Sequence, residues 1–167
     1  HKNLKKKYKN LLTIIIPRHI HRVEKIYKEI DDLGLSIHIH SSKNKMKKTT
    51  EIYLVDTYGE TENFFKLCKT VFLGGSLIKH GGQNPLEAVR LGCKVIHGPN
   101  TQNFKEIYHL LDNKKIAVKV KNQSQLVSKL NIILKKDINS IKLIDELKKL
   151  GNKILNSTLL EIKKFTN

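Results

Sequence analysis

Three features of the sequence predict an α/β fold with a mostly parallel sheet flanked by helices. Short apolar, β-branched runs recur at residues 11–16, 35–40, 51–55, 70–73, 94–97 and 116–120, each the length of a buried strand. Segments with apolar residues at helical spacing lie between them. Several runs stop abruptly in glycine, proline or polar clusters, as strands do on leaving a parallel sheet. The alternation implies βαβ units with right-handed crossovers. At 167 residues the chain is long enough for one domain with a substantial core, and too short for two of ordinary size.

Residues 1–10 are polar and basic and read as an exposed lead-in, so the domain is expected over residues 11–167. The first strand stops at Pro17-Arg18-His19. A helix is predicted over residues 20–33, with Val23, Ile26, Tyr27 and Ile30 on one face and Gly34 as its stop. After the second strand, a lysine-rich loop at 41–50 leads to the third. Thr57 and Glu60 then have capping-box spacing, predicting a helix that carries Phe64, Phe65 and Leu67. A helix over 85–91 closes at Gly92, another covers 101–111, and the pattern is helical from residue 124 onward. Breaks in that last segment are expected near 137–140 and at Gly151.

The stretch after the fourth strand organises the rest. It runs Gly74-Gly75-Ser76-Leu77-Ile78-Lys79-His80-Gly81-Gly82-Gln83-Asn84-Pro85-Leu86-Glu87. Asn84 is placed as an N-cap, Pro85 at the first helical position and Glu87 at the third. Glycine pairs let backbone approach a ligand closely, and a helix N-terminus offers free N–H groups to phosphate. Strand, glycine loop and capped helix together suit a nucleotide or sugar nucleotide. They also read as a plain capping box in a tight crossover, and they fit neither the Walker nor the dinucleotide fingerprint. Ligands bind beyond the carboxyl ends of the strands in such sheets. Four polar clusters fall at that edge: Arg18-His19, residues 57–60, residues 76–87 and residues 98–103.

Composition bounds the partners. With 32 Lys and Arg against 15 Asp and Glu, the formal charge is +17, which attracts phosphate in nucleic acid, lipid head groups or small substrates. Few aromatics are interleaved with the lysines, as base stacking would require. No apolar run approaches the ~20 residues that span a bilayer. Cys68 and Cys93 read as reduced core residues. No histidine pair has metal-ligand spacing, so no metal or other cofactor is expected; His38 and His40 read as a solvated strand face.

The blocks Pro17-Arg18-His19, Asp56-Thr57-Tyr58-Gly59-Glu60, Gly74 to Leu77 with His80 to Glu87, and Gly98-Pro99-Asn100-Thr101-Gln102-Asn103-Phe104 carry a resemblance. In order and spacing they resemble the C-terminal half of bacterial 3-deoxy-D-manno-octulosonic acid (Kdo) transferases. The resemblance covers about residue 11 to the C-terminus. It implies one Rossmann-like domain of a GT-B glycosyltransferase, binding the donor CMP-Kdo. The acceptor, a lipid A precursor in lipopolysaccharide biosynthesis, and the general base would belong to an N-terminal domain absent from this sequence. No catalytic residue is therefore expected here, and the chain alone should bind donor without turnover, at the cytoplasmic face of an inner membrane.

By position, the resemblance implies that Arg18, with His19 beside it, meets the donor's phosphate or carboxylate, an anion a guanidinium fork suits. Gly59 and Glu60 would lie against the nucleotide. Ser76, Gly81 and Gly82 would form the cradle floor, and Asn84 and Glu87 would orient the nucleotide. The structural alternatives are a surface ion pair for Arg18 and capping roles for Glu60, Asn84 and Glu87. Four positions depart from the family pattern: Gln83 for His, Ala88 for Pro, Lys79 for Pro and Tyr58 for Met. Gln83 keeps hydrogen bonding but cannot carry a proton. Other readings are a different GT-B sugar-nucleotide transferase or epimerase domain, a basic nucleic-acid-binding module, or a relic of a split coding region.

Overall fold

In the computed structural model, which describes residues 1–135 and 138–165, the chain divides into two compact units, His1–Thr61 and Glu62–Asn167. Each is built on a three-stranded, all-parallel sheet. The parallel α/β architecture is as predicted, and the sheet comes in two pieces, one per unit.

In the first unit, β1 (Thr13–Ile15), β2 (Ile37–Ile39) and β3 (Ile52–Leu54) pair in the order β1-β3-β2. β3 is central, which is why Ile52 and Leu54 are buried on one side of it and Val55 follows them into the core. The predicted helix over 20–33 begins later than its periodicity suggests. A 3-10 turn at Ile20–Arg22 precedes α2 (Val23–Asp31), which buries Ile30 and ends before Gly34.

The lead-in is tied down. It forms a short helix, α1 (Lys2–Lys5), that buries Leu4, while His1 Nδ1 lies 2.8 Å from Thr13 Oγ1. Lys2 and Lys5 donate to the carbonyls of Leu33 and Leu11 at 2.6 and 3.0 Å. Two of the lysines that composition presents as surface charge therefore also close backbone ends. His38 and His40, predicted on a solvated face, are half-buried instead. Both rings pack on Tyr53, and His40 Nδ1 lies 2.9 Å from its hydroxyl, because a polar-tipped aromatic between them offers a partner to each.

In the second unit, β4 (Thr70–Phe72), β5 (Lys94–His97) and β6 (Ala117–Lys119) lie side by side in chain order. They are joined by α4 (Leu86–Arg90) and by α5 (Lys105–Asn113), the latter entered through a 3-10 turn at Gln102–Phe104. Val89, Val95, Tyr108, Leu111 and Ile116 are at most 1% exposed and form the centre of the core. Cys93 is buried there as a free thiol whose Sγ donates to the Phe65 and Cys68 carbonyls. Burial, with Cys68 beside it, pushes that thiol up to about 12, so it is inert as a nucleophile. Cys68 is only half-buried.

Two further predicted helix starts move. The helix carrying Phe64 and Phe65, α3, runs Thr61–Leu67, so Thr57 and Glu60 precede it and do not form its capping box. Gly59 sits at φ +84°, outside the right-handed region, and the first turn cannot propagate through it. α4 begins at Leu86 with Pro85 as its flanking residue. Asn84 Oδ1 nevertheless accepts from the Leu86 N–H at 3.0 Å, so it caps from one position further out.

Beyond β6, α6 (Gln123–Ile133) is capped by Asn122, whose side chain accepts from the Gln125 N–H. α7 (Ser140–Lys163) is capped in the same way by Asn139. The expected break thus falls between Ile133 and Ser140, with Lys136 and Asp137 of that stretch outside the described residues. α7 passes through Gly151 without interruption, since a single helical glycine costs only about 1 kcal/mol. Leu143 and Leu147 seat α7 on the core. No helix among the described residues is long and apolar enough to cross a membrane.

Candidate functional site

Parallel pairing puts the carboxyl ends of β1, β2 and β3 on one edge of the first unit. β1 delivers Pro17, Arg18 and His19 there, β2 delivers Ser41, and β3 delivers Asp56 and the loop through Glu60. Arg18 is exposed, and no carboxylate pairs with it among the described residues. His19 is also exposed, its ring stacked on His21 with centroids 5.4 Å apart. Gly59 is exposed at the loop tip, and Glu60 is half-buried.

Asp56 accepts from the Ser41 backbone N–H at 2.9 Å and from the Ser41 hydroxyl at 2.5 Å. Burial is the largest single influence on this carboxyl and would raise it. The two Ser41 bonds, its own backbone and the His40 charge together outweigh burial and hold Asp56 below its ordinary value. An open hollow of about 420 Å³ borders the edge, with Ile39 and Asp56 at the strand ends, His21 from the 3-10 turn and Glu24 and Tyr27 from α2. None of the residues to which the resemblance gives a donor-binding role lines it.

The second unit builds its edge from the loops after β4 and β5, and Ser76 joins them. Ser76 is fully buried. Its hydroxyl donates to the Leu73 carbonyl at 2.6 Å and accepts from the Gly98 N–H at 2.8 Å. Its carbonyl accepts from the Asn100 backbone and side chain at 2.9 and 3.2 Å. With its hydroxyl and its carbonyl so engaged, Ser76 fixes the two loops against each other from behind.

Gly81 and Gly82 are buried in the same contact. The Asn103 N–H donates to the Gly81 carbonyl at 3.2 Å, and a Cβ on Gly81 would lie 2.5 Å from the Asn103 side chain. Asn84 and Glu87 stand exposed at the end of this loop, and no described residue pairs with the Glu87 carboxylate. The structure thus gives the loop a rigid buried floor and an exposed polar lip.

Sequence reading missed the support beneath that floor. Tyr108, 1% exposed on α5, donates to the Gln83 carbonyl at 2.7 Å. Burial, with the Asp112 charge, pushes the Tyr108 phenol up, so its proton stays in place for that bond. His97, also 1% exposed, packs on the Tyr108 ring at a tilt of 44° with centroids 4.3 Å apart. Its Nδ1 lies 2.7 Å from the Gly98 carbonyl and its Nε2 3.0 and 3.2 Å from the two Asp112 oxygens. The sequence did hold a signal: Tyr108 and Asp112 are four apart and share one face of α5.

No family model matches the chain. Among characterised proteins it is 35% identical over 111 residues to the 3-deoxy-D-manno-octulosonic acid transferase of Haemophilus influenzae, covering 66% of this chain and 26% of that protein. It is 34% identical over 142 residues to the same-named protein of Rickettsia felis, covering 85% of this chain and 30% of that one. The crystal structure of the C-terminal CMP-Kdo binding domain of WaaA from Acinetobacter baumannii superposes with a TM-score of 0.79 at 27% identity, over 89% of this chain and 77% of that domain. The chain belongs to the Kdo transferase family. It represents the C-terminal domain of that GT-B glycosyltransferase family, and it spans under a third of the length of the two relatives just named.

For a Kdo transferase C-terminal domain, the sequence-selected residues fall into two sets. Arg18, His19, Gly59 and Glu60 share the strand-end edge of the first unit. Ser76, Gly81, Gly82, Asn84 and Glu87 share that of the second. Exposed groups (Arg18, His19, Gly59, Asn84, Glu87) are free to meet a ligand. Ser76 and the Gly81-Gly82 pair serve as scaffold. Among the described residues no cluster of three or more metal-ligating side chains occurs.

Proposed function

We propose that this chain is the donor-binding part, over residues 11–167, of an enzyme that transfers Kdo from CMP-Kdo to a lipid A precursor. The observation that carries the reading is the exposed lip of Asn84 and Glu87 on a loop locked by Ser76. It occurs in a chain similar to a domain that binds CMP-Kdo. Arg18 offers a guanidinium unpaired among the described residues to the donor's phosphate or carboxylate. As the glycosidic bond breaks, charge grows on the CMP leaving group, and Arg18 stabilises it as an oxyanion site would. Glu87 accepts from the ribose hydroxyls, Asn84 orients the nucleotide, and Gly59 and Glu60 lie beside it. The attacking sugar hydroxyl loses its proton to a base supplied from outside this sequence.

Incubating the chain with CMP-Kdo tests this. Saturable binding without CMP release is expected; release of CMP at an enzymatic rate would place the base within the chain and overturn the division of roles. The +17 charge fits work at the anionic cytoplasmic face of an inner membrane, where each lysine near the surface contributes about 1 kcal/mol. Co-sedimentation with anionic but not neutral vesicles, lost at high salt, is expected. Equal co-sedimentation with both would remove the membrane from the proposal.

A further inference from the structure

We propose that His97 and Asp112 form a proton-dependent lock on the loop of residues 98–103, and through it on donor binding. The binding part rests on the function proposed above. Both ring nitrogens of His97 face oxygen acceptors, the Gly98 carbonyl on one side and the Asp112 carboxylate on the other. Neither a carbonyl nor a carboxylate donates. Making both bonds therefore takes one proton more than a neutral imidazole beside an ionised carboxylate carries. That proton belongs to the pair, whichever side of the Nε2···Oδ1 contact it occupies. When it leaves, the ionised carboxylate, the stronger acceptor, keeps the remaining N–H on Nε2, and Nδ1 faces the Gly98 carbonyl lone pair to lone pair, in a site where His97 is 1% exposed. A buried polar contact of that kind is costly, and the loop gives way.

The consequence reaches the cradle because Gly98 does two things. Its carbonyl meets His97, and its N–H donates to Ser76 Oγ. The next N–H along, that of Asn100, donates to the Ser76 carbonyl. Releasing Gly98 therefore loosens two of the hydrogen bonds that tie the β5 loop to the glycine loop. The charged and titratable groups on the surrounding elements are few. Asp112 and Tyr108 come from α5, and Lys119 is the ladder partner of His97 on β6. Glu87 and Arg90 lie on α4, and Lys94 on β5 itself. Of these, Asp112 alone is hydrogen-bonded to the ring, and Lys119, Glu87 and Arg90 are exposed. His97 is a positioning residue.

Amide hydrogen exchange at Gly98 and Asn100, followed with the His97 ring ¹⁵N signals across pH in the full chain, tests the lock. Protection at both amides, corrected for intrinsic rate, is expected to fall about tenfold as the pair loses its proton, the scale of one charge-assisted hydrogen bond. In Asp112→Asn the asparagine N–H donates to Nε2 of a neutral ring whose Nδ1–H still reaches Gly98, so protection should hold at high pH. Protection that ignores the ring titration in the wild-type chain, or that falls equally in Asp112→Asn, overturns the lock. CMP affinity should follow the same curve in the wild-type chain and stay flat in Asp112→Asn. Failure of CMP to bind at any pH sinks the donor reading, and the exchange data still decide the lock.

Discussion

Gly98→Ala is expected to lower the unfolding free energy of the chain by about 3 kcal/mol or more, the scale of severe overpacking. An added Cβ would lie 2.1 Å from the Ser76 carbonyl oxygen, 2.3 Å from its carbon and 2.6 Å from the Leu77 nitrogen. All three atoms are backbone, so no rotamer change relieves the clash. Separating the loops would break the Gly98–Ser76 and Asn100–Ser76 hydrogen bonds and strain the adjoining β4–β5 pairing. That loss is a large share of the ~5–15 kcal/mol that holds an ordinary domain together. Gly74→Ala is the control. A Cβ there meets nothing within 4 Å and the φ is not positive, so a change within about 1 kcal/mol is expected. Equal denaturation midpoints for the two variants would contradict the close approach at Gly98.

Arg18→Ala is expected to weaken CMP binding roughly 10- to 100-fold while leaving stability within about 0.5 kcal/mol of the wild type. The first part follows from the loss of a charge-assisted, potentially bidentate contact to an anion. The second follows from exposure: Arg18 makes no ion pair among the described residues, so truncating it strands no buried partner. Arg18→Lys separates charge from geometry. A fork-shaped contact loses most of its strength with lysine, whereas a diffuse field keeps it. Wild-type affinity in both variants would leave Arg18 as surface charge.

The fold was legible where periodicity and punctuation agreed. The six apolar runs became the six strands, and β5 matched to the residue, because β-branched runs bounded by Gly or Pro have few alternatives. Helix starts were less legible. The Thr57–Glu60 spacing looked like a capping box, but Gly59 at φ +84° forbids the turn, and the conformation a glycine adopts cannot be read from its letter. The histidines show the same limit. His38, His40 and His97 have no sequence partner at ligand spacing, and each finds its neighbour through strand pairing or a crossover helix.

At the candidate site, the exposed polar residues were found by motif. Of the groups that hold the loop, Ser76 was found with them, whereas Tyr108, His97 and Asp112 were not, since they act through contacts 15 to 25 residues away in sequence, Asp112 by way of His97.

The proposed function requires this chain to recognise the cytidine monophosphate of a sugar nucleotide. Calorimetric titration of the 167-residue chain with CMP, and in competition with UDP and GDP, tests it most directly. Saturable one-to-one binding of CMP, displaced poorly by UDP and GDP and weakened by Glu87→Ala, is the predicted result. Equal binding of all three nucleotides, or tighter binding of RNA with a steep salt dependence, would contradict it.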